Sequence, residues 1–324
     1  MRKMPDKIGV LAGGVSSERE VSLASGRAVH KALTDEGLNA VIIDLGENYY
    51  SDIMKADIDF AFISLHGGPG EDGTVQMLLE YRDIPYTGSG VAASRAAMNK
   101  AVSHSRFASS GIPAPRHNVL WKGEEVSPGG LKFPLVVKPA CEGSSIGLTI
   151  VDKADGFLGA VNEAFKYGKF IIIEEYIKGS DITVGIIGEE ALPVIKIVPK
   201  ARFYDYRSKY TKGMSEYLVP APIDSVIYKK AQDLALKTHR ALGLSGFSRI
   251  DMILGEDGDI YVLEANSIPG MTETSLLPKA AGAMGIDFNK MCLRLVDLGI
   301  ESFEKRKGED GVKKPQKREK ETRK

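Results

Sequence analysis

Short apolar runs alternate with an amphipathic stretch in the first ninety residues. The runs at 7–14, 40–45 and 59–65 predict β-strands, and the spacing of apolar positions over 21–36 predicts a helix. Strands that alternate with helices pair in parallel, because each helix returns the chain across the sheet. We therefore predict an α/β N-terminal domain over residues 1–88, Rossmann-like in outline.

The rest of the chain has an α+β pattern, with a glycine-rich segment at its start. A central domain is predicted over 89–177, with helices at 91–110 and 154–167 and strands at 135–139, 148–151 and 170–177. A C-terminal domain is predicted over 178–303, with strands at 182–187, 193–198, 248–254 and 260–266 and helices at 226–242 and 291–298. The stretch 199–222 is long for a connection, and its Tyr and Phe content predicts a lid.

Composition limits the classes of function. The chain is 43% hydrophobic and 27% charged, as is typical of a globular protein. No apolar run reaches the roughly 18 residues of a membrane span, and no signal-peptide core is present, so we predict a cytoplasmic protein with no membrane partner. Residues 304–324 hold ten Lys/Arg and five Asp/Glu, and the interspersed acids favour a disordered tail over a nucleic-acid-binding arm.

An Asp-Gly pair at 257–258, between two β-rich runs, predicts a hairpin. A turn centred there places Asp251 opposite Glu264. The same register places Arg249 opposite Asn266. Because side chains alternate between the two faces of a strand, all four project from one face.

Opposed carboxylates repel one another unless positive charge lies between them, because their Cβ atoms are only roughly 5 Å apart. The oxygen ligands of Asp251, Glu264 and Asn266, without His or Cys, suit magnesium. A surface hairpin in which Arg249 pairs with the acids is the alternative. The hairpin alone leaves both interpretations open.

Two glycine-rich motifs match known signatures but lack their context. Residues 68–73 match G-x-G-x-x-G, yet residues 88–93 contain no acid where a dinucleotide-binding protein carries one. Residues 143–147 match G-x-S-x-G, yet a predicted strand follows where a hydrolase requires a helix. The segment 140–147 better suits phosphate binding by backbone N–H groups, with Lys138 adding positive charge. A flexible surface hairpin is the alternative.

A series of short motifs follows in one order along the chain. They are GVSSEREVS (14–22), LHG (65–67), GEDG (70–73), YTGSG (86–90), KP (138–139), EGSS (142–145), FYDY (203–206), KY (209–210), RID (249–251), LEAN (263–266) and PGMT (269–272). In this order they closely resemble the D-alanine:D-alanine ligases, an ATP-grasp family, over about residues 6–300.

The resemblance implies an ATP-grasp fold with ATP held between the central and C-terminal domains. It implies ATP-dependent joining of two D-alanine molecules to D-alanyl-D-alanine for peptidoglycan precursors, with release of ADP and phosphate. The first D-alanine would form an acyl phosphate, which the amine of the second would attack. Two Mg²⁺ ions, with Mn²⁺ as a substitute, and a homodimer are also implied.

The resemblance further assigns roles to residues. Catalytic roles fall to Glu18, Ser144, Tyr210, Arg249 and Gly270; substrate contacts to Lys209, Ser275, Leu276 and His66; ATP contacts to Lys100, Lys138, Glu174, Glu175, Tyr176, Ile177 and Asp181; and metal binding to Asp251, Glu264 and Asn266. Arg249 and the Gly270 N–H would form an oxyanion hole. Glu18 would bind the ammonium of the first D-alanine in a network with Ser144 and Tyr210, although the helix dipole also favours an acid there.

Two alternatives stay open. One is a related ATP-grasp ligase that uses D-lactate or another acceptor, against which the pair Lys209 and Tyr210 favours the dipeptide product. The other is a nucleotide-binding module without catalysis, against which the complete set of Arg249 and the three metal-binding candidates argues.

Overall fold

The N-terminal domain is built on a small parallel sheet. A computed structural model describes residues 4–199, 214–273 and 275–309. Its first elements are β1 (Ile8–Gly13), α1 (Arg19–Asp35), β2 (Ala40–Leu45), α2 (Tyr49–Lys55), β3 (Phe60–Ile63) and α3 (Thr74–Tyr81). The three strands pair in parallel in the order β2-β1-β3, and β1 is wholly buried. The predicted parallel sheet is confirmed.

The central sheet is antiparallel. Its strands are β4 (His117–Trp121), β5 (Leu135–Pro139), β6 (Thr149–Val151) and β7 (Phe170–Glu175), in the order β4-β7-β5-β6. Helix α6 (Phe157–Ala164) covers one face, where Phe157 and Val161 pack with Val137 and Ile173. The predicted hairpin around 140–147 is present, because β5 and β6 are adjacent antiparallel strands.

The single helix predicted at 91–110 is wrong. Two helices, α4 (Val91–Met98) and α5 (Lys100–Ser109), meet at Asn99. Asn99 has an extended backbone and its side chain accepts a hydrogen bond from the Val102 N–H at 3.2 Å, so it begins a new helix as an N-cap. Phe107 of α5 packs with the C-terminal strands, so this helix contacts more than its own predicted domain. The predicted domain limits stay a prediction.

The C-terminal sheet carries most of the candidate site. It comprises β8 (Gly179–Ile187), β9 (Glu190–Ala191), β10 (Ile195–Pro199), β11 (Ser215–Leu218), β12 (Phe247–Gly255) and β13 (Ile260–Asn266), with helices α7 (Ser225–Ala241) and α8 (Leu276–Ala283) beside it. The strand order is β11-β10-β8-β12-β13, and β9 pairs with β8. Strand β11 lies within the stretch 199–222 that was predicted to be a lid, so part of that stretch continues the sheet beside β10. Residues 200–213 lie outside the described part.

The last helix, α9 (Phe288–Glu309), is much longer than the 291–298 predicted, and the tail predicted from residue 304 begins too early. Arg306 stacks on the Tyr86 ring, 4.6 Å from its centroid, and Lys307 pairs with Asp83 at 2.6 Å. Both contacts hold the end of α9 against the N-terminal domain. Residues 310–324 are not among those described.

One apolar core joins the first and last parts of the chain. Val10 and Phe62 of the N-terminal sheet pack in the same cluster as Leu277 of α8 and Leu295 of α9. Helix α1, which carries Glu18 at its start, is thereby held against the C-terminal elements. In the described ranges, no helix combines the length and apolar character needed to cross a bilayer.

Candidate active site

The β12–β13 hairpin brings four polar side chains together. Asp251 pairs with Glu264, and Arg249 pairs with Asn266, as predicted. Nearer the turn the register differs by one residue, and a β-bulge between Asp251 and Met252 restores it. The predicted register is thus confirmed at the end of the hairpin that carries the polar residues.

Asp251 anchors the Arg249 guanidinium. Arg249 Nε donates to Asp251 Oδ1 at 2.8 Å, and its Nη2 donates to Oδ2 at 2.7 Å. Thr183 of the adjacent β8 donates to the same carboxylate at 2.6 Å, and Asn266 Nδ2 donates at 3.0 Å. A bidentate pair supported by two further donors holds both side chains in fixed orientations.

The same hairpin face offers an oxygen-rich place for a cation. Asp251 and Glu264 stand opposite one another, with the amide of Asn266 hydrogen-bonded to Asp251, and Lys100 Nζ lies 3.3 Å from Glu264. The described ranges contain no group of three His, Cys, Asp or Glu arranged to hold a metal. Two carboxylates and an amide oxygen nevertheless fit magnesium, which commonly completes its shell with phosphate and water.

Glu18 and Ser144 meet across two domains. Glu18 is the residue before α1 and is only 6% exposed, and the Ser144 hydroxyl donates to its carboxylate. Ser144 and Ser145 have φ of +50° and +60°, a conformation that is uncommon away from glycine and marks a constrained loop. The β5–β6 loop therefore closes onto the N-terminal domain at this contact.

Two buried lysines approach the same region. Lys100 Nζ donates to the Glu142 carbonyl at 2.6 Å, which ties α5 to the β5–β6 loop. Lys138 Nζ lies 2.7 Å from Glu174 Oε2, and His104 Nε2 lies 3.0 Å from Oε1. Burial alone would raise the pKa of Glu174, but the Lys138 ammonium and the His104 ring lower it to about 2. Glu174 is therefore an anion that holds Lys138 in place.

The stretch 174–177 connects the central sheet to the C-terminal sheet. The Glu175 N–H donates to a backbone carbonyl at 2.8 Å, and the Tyr176 N–H donates to the Pro134 carbonyl at 3.2 Å. Asp181 lies a few residues later, on β8. Because these two N–H groups already donate hydrogen bonds within the fold, they are not available as donors to an adenine ring.

The loop before α8 presents the Gly270 backbone. Ser275 Oγ accepts a hydrogen bond from the Thr272 N–H at 3.1 Å and lies 2.8 Å from the Thr272 hydroxyl. A Cβ on Gly270 would come within 2.9 Å of Ser275 Oγ, so a larger residue here would displace the Ser275 hydroxyl. Leu276 is buried directly after it, at the start of α8.

His66 and Glu71 complete the N-terminal side. Burial lowers the pKa of His66, whose ring accepts or donates a hydrogen bond with Ser25 at 3.0 Å. Glu71 accepts a hydrogen bond from the Gly67 N–H at 2.7 Å. Burial, and secondly the negative charge of Glu18, raise the pKa of Glu71 to about 8. Glu71 can therefore change charge near neutral pH.

Sequence reasoning assigned no role to Glu71 or Thr183. Glu71 lies within the GEDG motif, where an acid among glycines was the available signal. Thr183 had none, because only the pairing of β8 with β12 brings it to Asp251. Lys209 and Tyr210 lie outside the described residues, and every assigned role stays a prediction.

Comparisons with known proteins cover nearly the whole chain. The family model "D-ala D-ala ligase C-terminus" matches residues 107–297, and "D-ala D-ala ligase N-terminus" matches residues 47–89. The D-alanine–D-alanine ligase of Geotalea uraniireducens (strain Rf4) is 47% identical over 90% of this chain and 94% of its own length. That of Carboxydothermus hydrogenoformans is 43% identical over 92% of this chain and 100% of its own.

Solved structures agree with these relatives. The crystal structure of the D-alanine–D-alanine ligase from Bacillus anthracis matches with a TM-score of 0.85 and 37% identity, covering 93% of this chain and 99% of that one. A structure of the Bacillus anthracis ligase complexed with ATP matches with a TM-score of 0.82 and 34% identity, covering 94% and 100%. The chain belongs to the D-alanine–D-alanine ligase family.

Proposed function

We propose that this chain joins two D-alanine molecules to D-alanyl-D-alanine at the expense of ATP. The observation that carries the proposal is the convergence of three parts of the fold in a member of this family. The Arg249–Asp251 pair lies on the C-terminal hairpin, and the Ser144–Glu18 contact joins the central and N-terminal domains. Ligation needs this combination, because one site must bind an amino acid, a phosphate donor and a reactive carbonyl.

In the first step, a carboxylate oxygen of one D-alanine attacks the γ-phosphorus of ATP. The bond from that phosphorus to the bridging oxygen breaks, and ADP leaves with the electron pair. Glu18 holds the ammonium of this D-alanine, since its carboxylate is buried and is oriented by the Ser144 hydroxyl. Lys100 and Lys138 hold the phosphates, and the fixed positions of their ammonium groups limit the reorganisation required.

Asp251, Glu264 and Asn266 would hold magnesium beside these phosphates. When bound, the cation neutralises negative charge that builds up on the transferred phosphoryl group. Lys100, one of the two phosphate-binding lysines, lies 3.3 Å from Glu264, which places this carboxylate beside the proposed phosphate site.

In the second step, the amine nitrogen of the other D-alanine attacks the carbonyl carbon of the acyl phosphate. The carbon–oxygen bond to phosphate breaks, the phosphate leaves with the electron pair, and the nitrogen releases a proton to solvent. Arg249 and the Gly270 N–H stabilise the oxyanion that forms. Asp251 fixes the guanidinium through two hydrogen bonds, so the donor is oriented before the reaction begins.

The remaining features of the proposal are a cytoplasmic location, a homodimeric assembly, and Mn²⁺ as a substitute for Mg²⁺. The family resemblance supports them. Light scattering of the purified chain tests the assembly, and replacement of Mg²⁺ by Mn²⁺ in the activity assay tests the metal.

The test is phosphate release from ATP and magnesium by the purified chain, with the product identified by mass. The substrates are D-alanine, L-alanine, or D-alanine with D-lactate. Release with D-alanine alone, with formation of the dipeptide, is the expected result. Release that requires D-lactate would change the acceptor, and no release under any condition would favour a nucleotide-binding module.

A further inference from the structure

A buried serine of α1 bridges the N-terminal domain and the loop that presents Gly270. Ser25 is 0% exposed, and its Oγ lies 3.0 Å from His66 Nε2. The Met271 N–H donates to the same oxygen at 3.2 Å. Met271 directly follows Gly270, so this hydroxyl contacts the backbone next to the expected oxyanion donor.

The hydrogen bonds determine where the protons lie. The Met271 N–H can only donate, so Ser25 Oγ accepts there. Among the described contacts of this buried hydroxyl, only His66 Nε2 can accept its hydrogen. Nε2 is then an acceptor, and the ring carries its proton on Nδ1. Burial lowers the pKa of His66, which keeps the ring neutral, and the ring contacts the loop through Ser25.

Both ends of the loop are therefore fixed. Ser16 Oγ donates to the His66 carbonyl at 2.5 Å, which secures the backbone of the histidine. On the far side, Thr272 and Ser275 are hydrogen-bonded to one another. The Gly270 peptide lies between these two anchored points, and a small shift at either of them would reorient its N–H.

We propose that Ser25 is a positioning residue for the ligation, acting with His66 to hold the loop 268–271 so that the Gly270 N–H faces the oxyanion. This inference rests on the proposed function. It assigns His66 to holding the loop through Ser25 rather than to proton transfer, since Nε2 is occupied by the Ser25 hydroxyl. Loss of the Ser25 hydroxyl should slow the second chemical step and leave ATP binding and acyl phosphate formation intact.

Helix α1 offers a matched control in Ser22, one helical turn earlier. Ser22 is also 0% exposed, and its Oγ accepts from the Gly13 N–H at 2.9 Å and donates to the Ser64 carbonyl at 2.8 Å. Both of these contacts lie within the N-terminal domain. Ser22→Ala therefore removes an equally buried hydroxyl without touching the contact to Met271.

The experiment compares Ser25→Ala and Ser22→Ala in the full chain. We expect kcat for the dipeptide to fall about 10- to 100-fold in Ser25→Ala, with KM for ATP within about twofold of wild type. Exchange of ¹⁸O between the β,γ-bridging and non-bridging positions of ATP, which needs only the first step, should persist. In Ser22→Ala, kcat should stay within about twofold. Equal losses in both variants, or equal slowing of exchange and ligation in Ser25→Ala, would overturn the proposal.

A second measurement does not depend on activity. The ¹⁵N resonances of the His66 ring, assigned by their loss in His66→Gln, should report a neutral ring with the proton on Nδ1. They and the Met271 amide signal should shift in Ser25→Ala and stay in place in Ser22→Ala. A proton on Nε2 would refute the arrangement. If the wild-type chain makes no dipeptide, the proposed function fails, and this measurement still decides whether Ser25 and His66 hold the loop 268–271.

Discussion

Replacement of Glu174 by glutamine should destabilise the protein by about 3 kcal/mol. Glu174 is 2% exposed, and Lys138, its partner at 2.7 Å, is itself buried, so the substitution leaves a buried ammonium uncompensated. The pKa of Glu174 falls from 4.5 to about 2 on folding, which corresponds to about 3 kcal/mol. Breaking a buried ion pair typically costs roughly 3–5 kcal/mol, in agreement with this value.

Thermal unfolding measures this effect. If the chain of 324 residues unfolds in one transition, an unfolding entropy of about 2 cal/mol/K per residue converts the loss to about 5 °C in Tm. Because the folded pKa is depressed, the stabilisation is fully present above about pH 4.5 and is lost as the pH falls towards 2. The difference in Tm between wild type and variant should therefore be constant from pH 8 to about pH 5.5 and become smaller below that pH.

A matched control is Asp233→Asn, which breaks the exposed pair of Asp233 with Lys229, whose side chains are 61% and 69% exposed. An exposed pair contributes at most about 0.5 kcal/mol, so the Tm should change by less than about 1 °C. Equal Tm changes in the two variants would refute the claim that Glu174 stabilises a buried charge. A gap that widens as the pH falls would refute the assigned direction of the pKa shift.

Three further predictions concern other parts of the molecule. The free energy of unfolding of wild type should fall between pH 5 and 8, because the raised pKa of Glu71 makes the folded state hold a proton that the unfolded state releases. The rise of this pKa from 4.5 to about 8 sets an upper limit of roughly 5 kcal/mol on the effect, which Glu71→Gln should abolish. Parallel curves of stability against pH for variant and wild type would contradict this prediction. Arg249→Lys should lower kcat by about 100-fold or more with little change in ATP affinity, since lysine cannot reproduce the bidentate pair with Asp251. Steady-state kinetics measure kcat, and isothermal titration measures the affinity for ATP. An unchanged kcat would remove Arg249 from the mechanism. Arg306→Ala should cost about 1–2 kcal/mol by loss of stacking on Tyr86, with kcat preserved; urea unfolding that matches wild type would show that the last turns of α9 do not contribute.

The sequence predicted the features that local pattern determines. Alternating strands and a helix gave the parallel N-terminal sheet, and the Asp-Gly turn led to the pairing of Asp251 with Glu264. The bulge beside Asp251 has no sequence signal of its own, because the same alternation of residues fits either register near the turn. The hairpin face was predictable because its four polar residues fit only one side of the ribbon.

One error came from a local helix cap, and the others came from long-range contacts. The break at Asn99 separates an alanine-rich stretch from a second stretch that contains neither Gly nor Pro, so helix propensity alone predicts one helix. The last turns of α9 are charged and favour solvent by composition, yet Arg306 finds Tyr86 in a distant part of the chain. Glu71 became notable only once the fold placed it in a half-buried position near Glu18. Such partners are far apart in sequence, and local patterns do not encode them.

The measurement that tests the central claim most directly follows oxygen from D-alanine to phosphate. D-Alanine labelled with ¹⁸O in its carboxylate is incubated with ATP, magnesium and the purified chain, and the dipeptide and phosphate are analysed by mass. Ligation through an acyl phosphate predicts one ¹⁸O in each phosphate released, because the attacking carboxylate oxygen leaves with phosphorus. Dipeptide formed with unlabelled phosphate would contradict the acyl phosphate, and phosphate released without dipeptide would contradict the ligation itself.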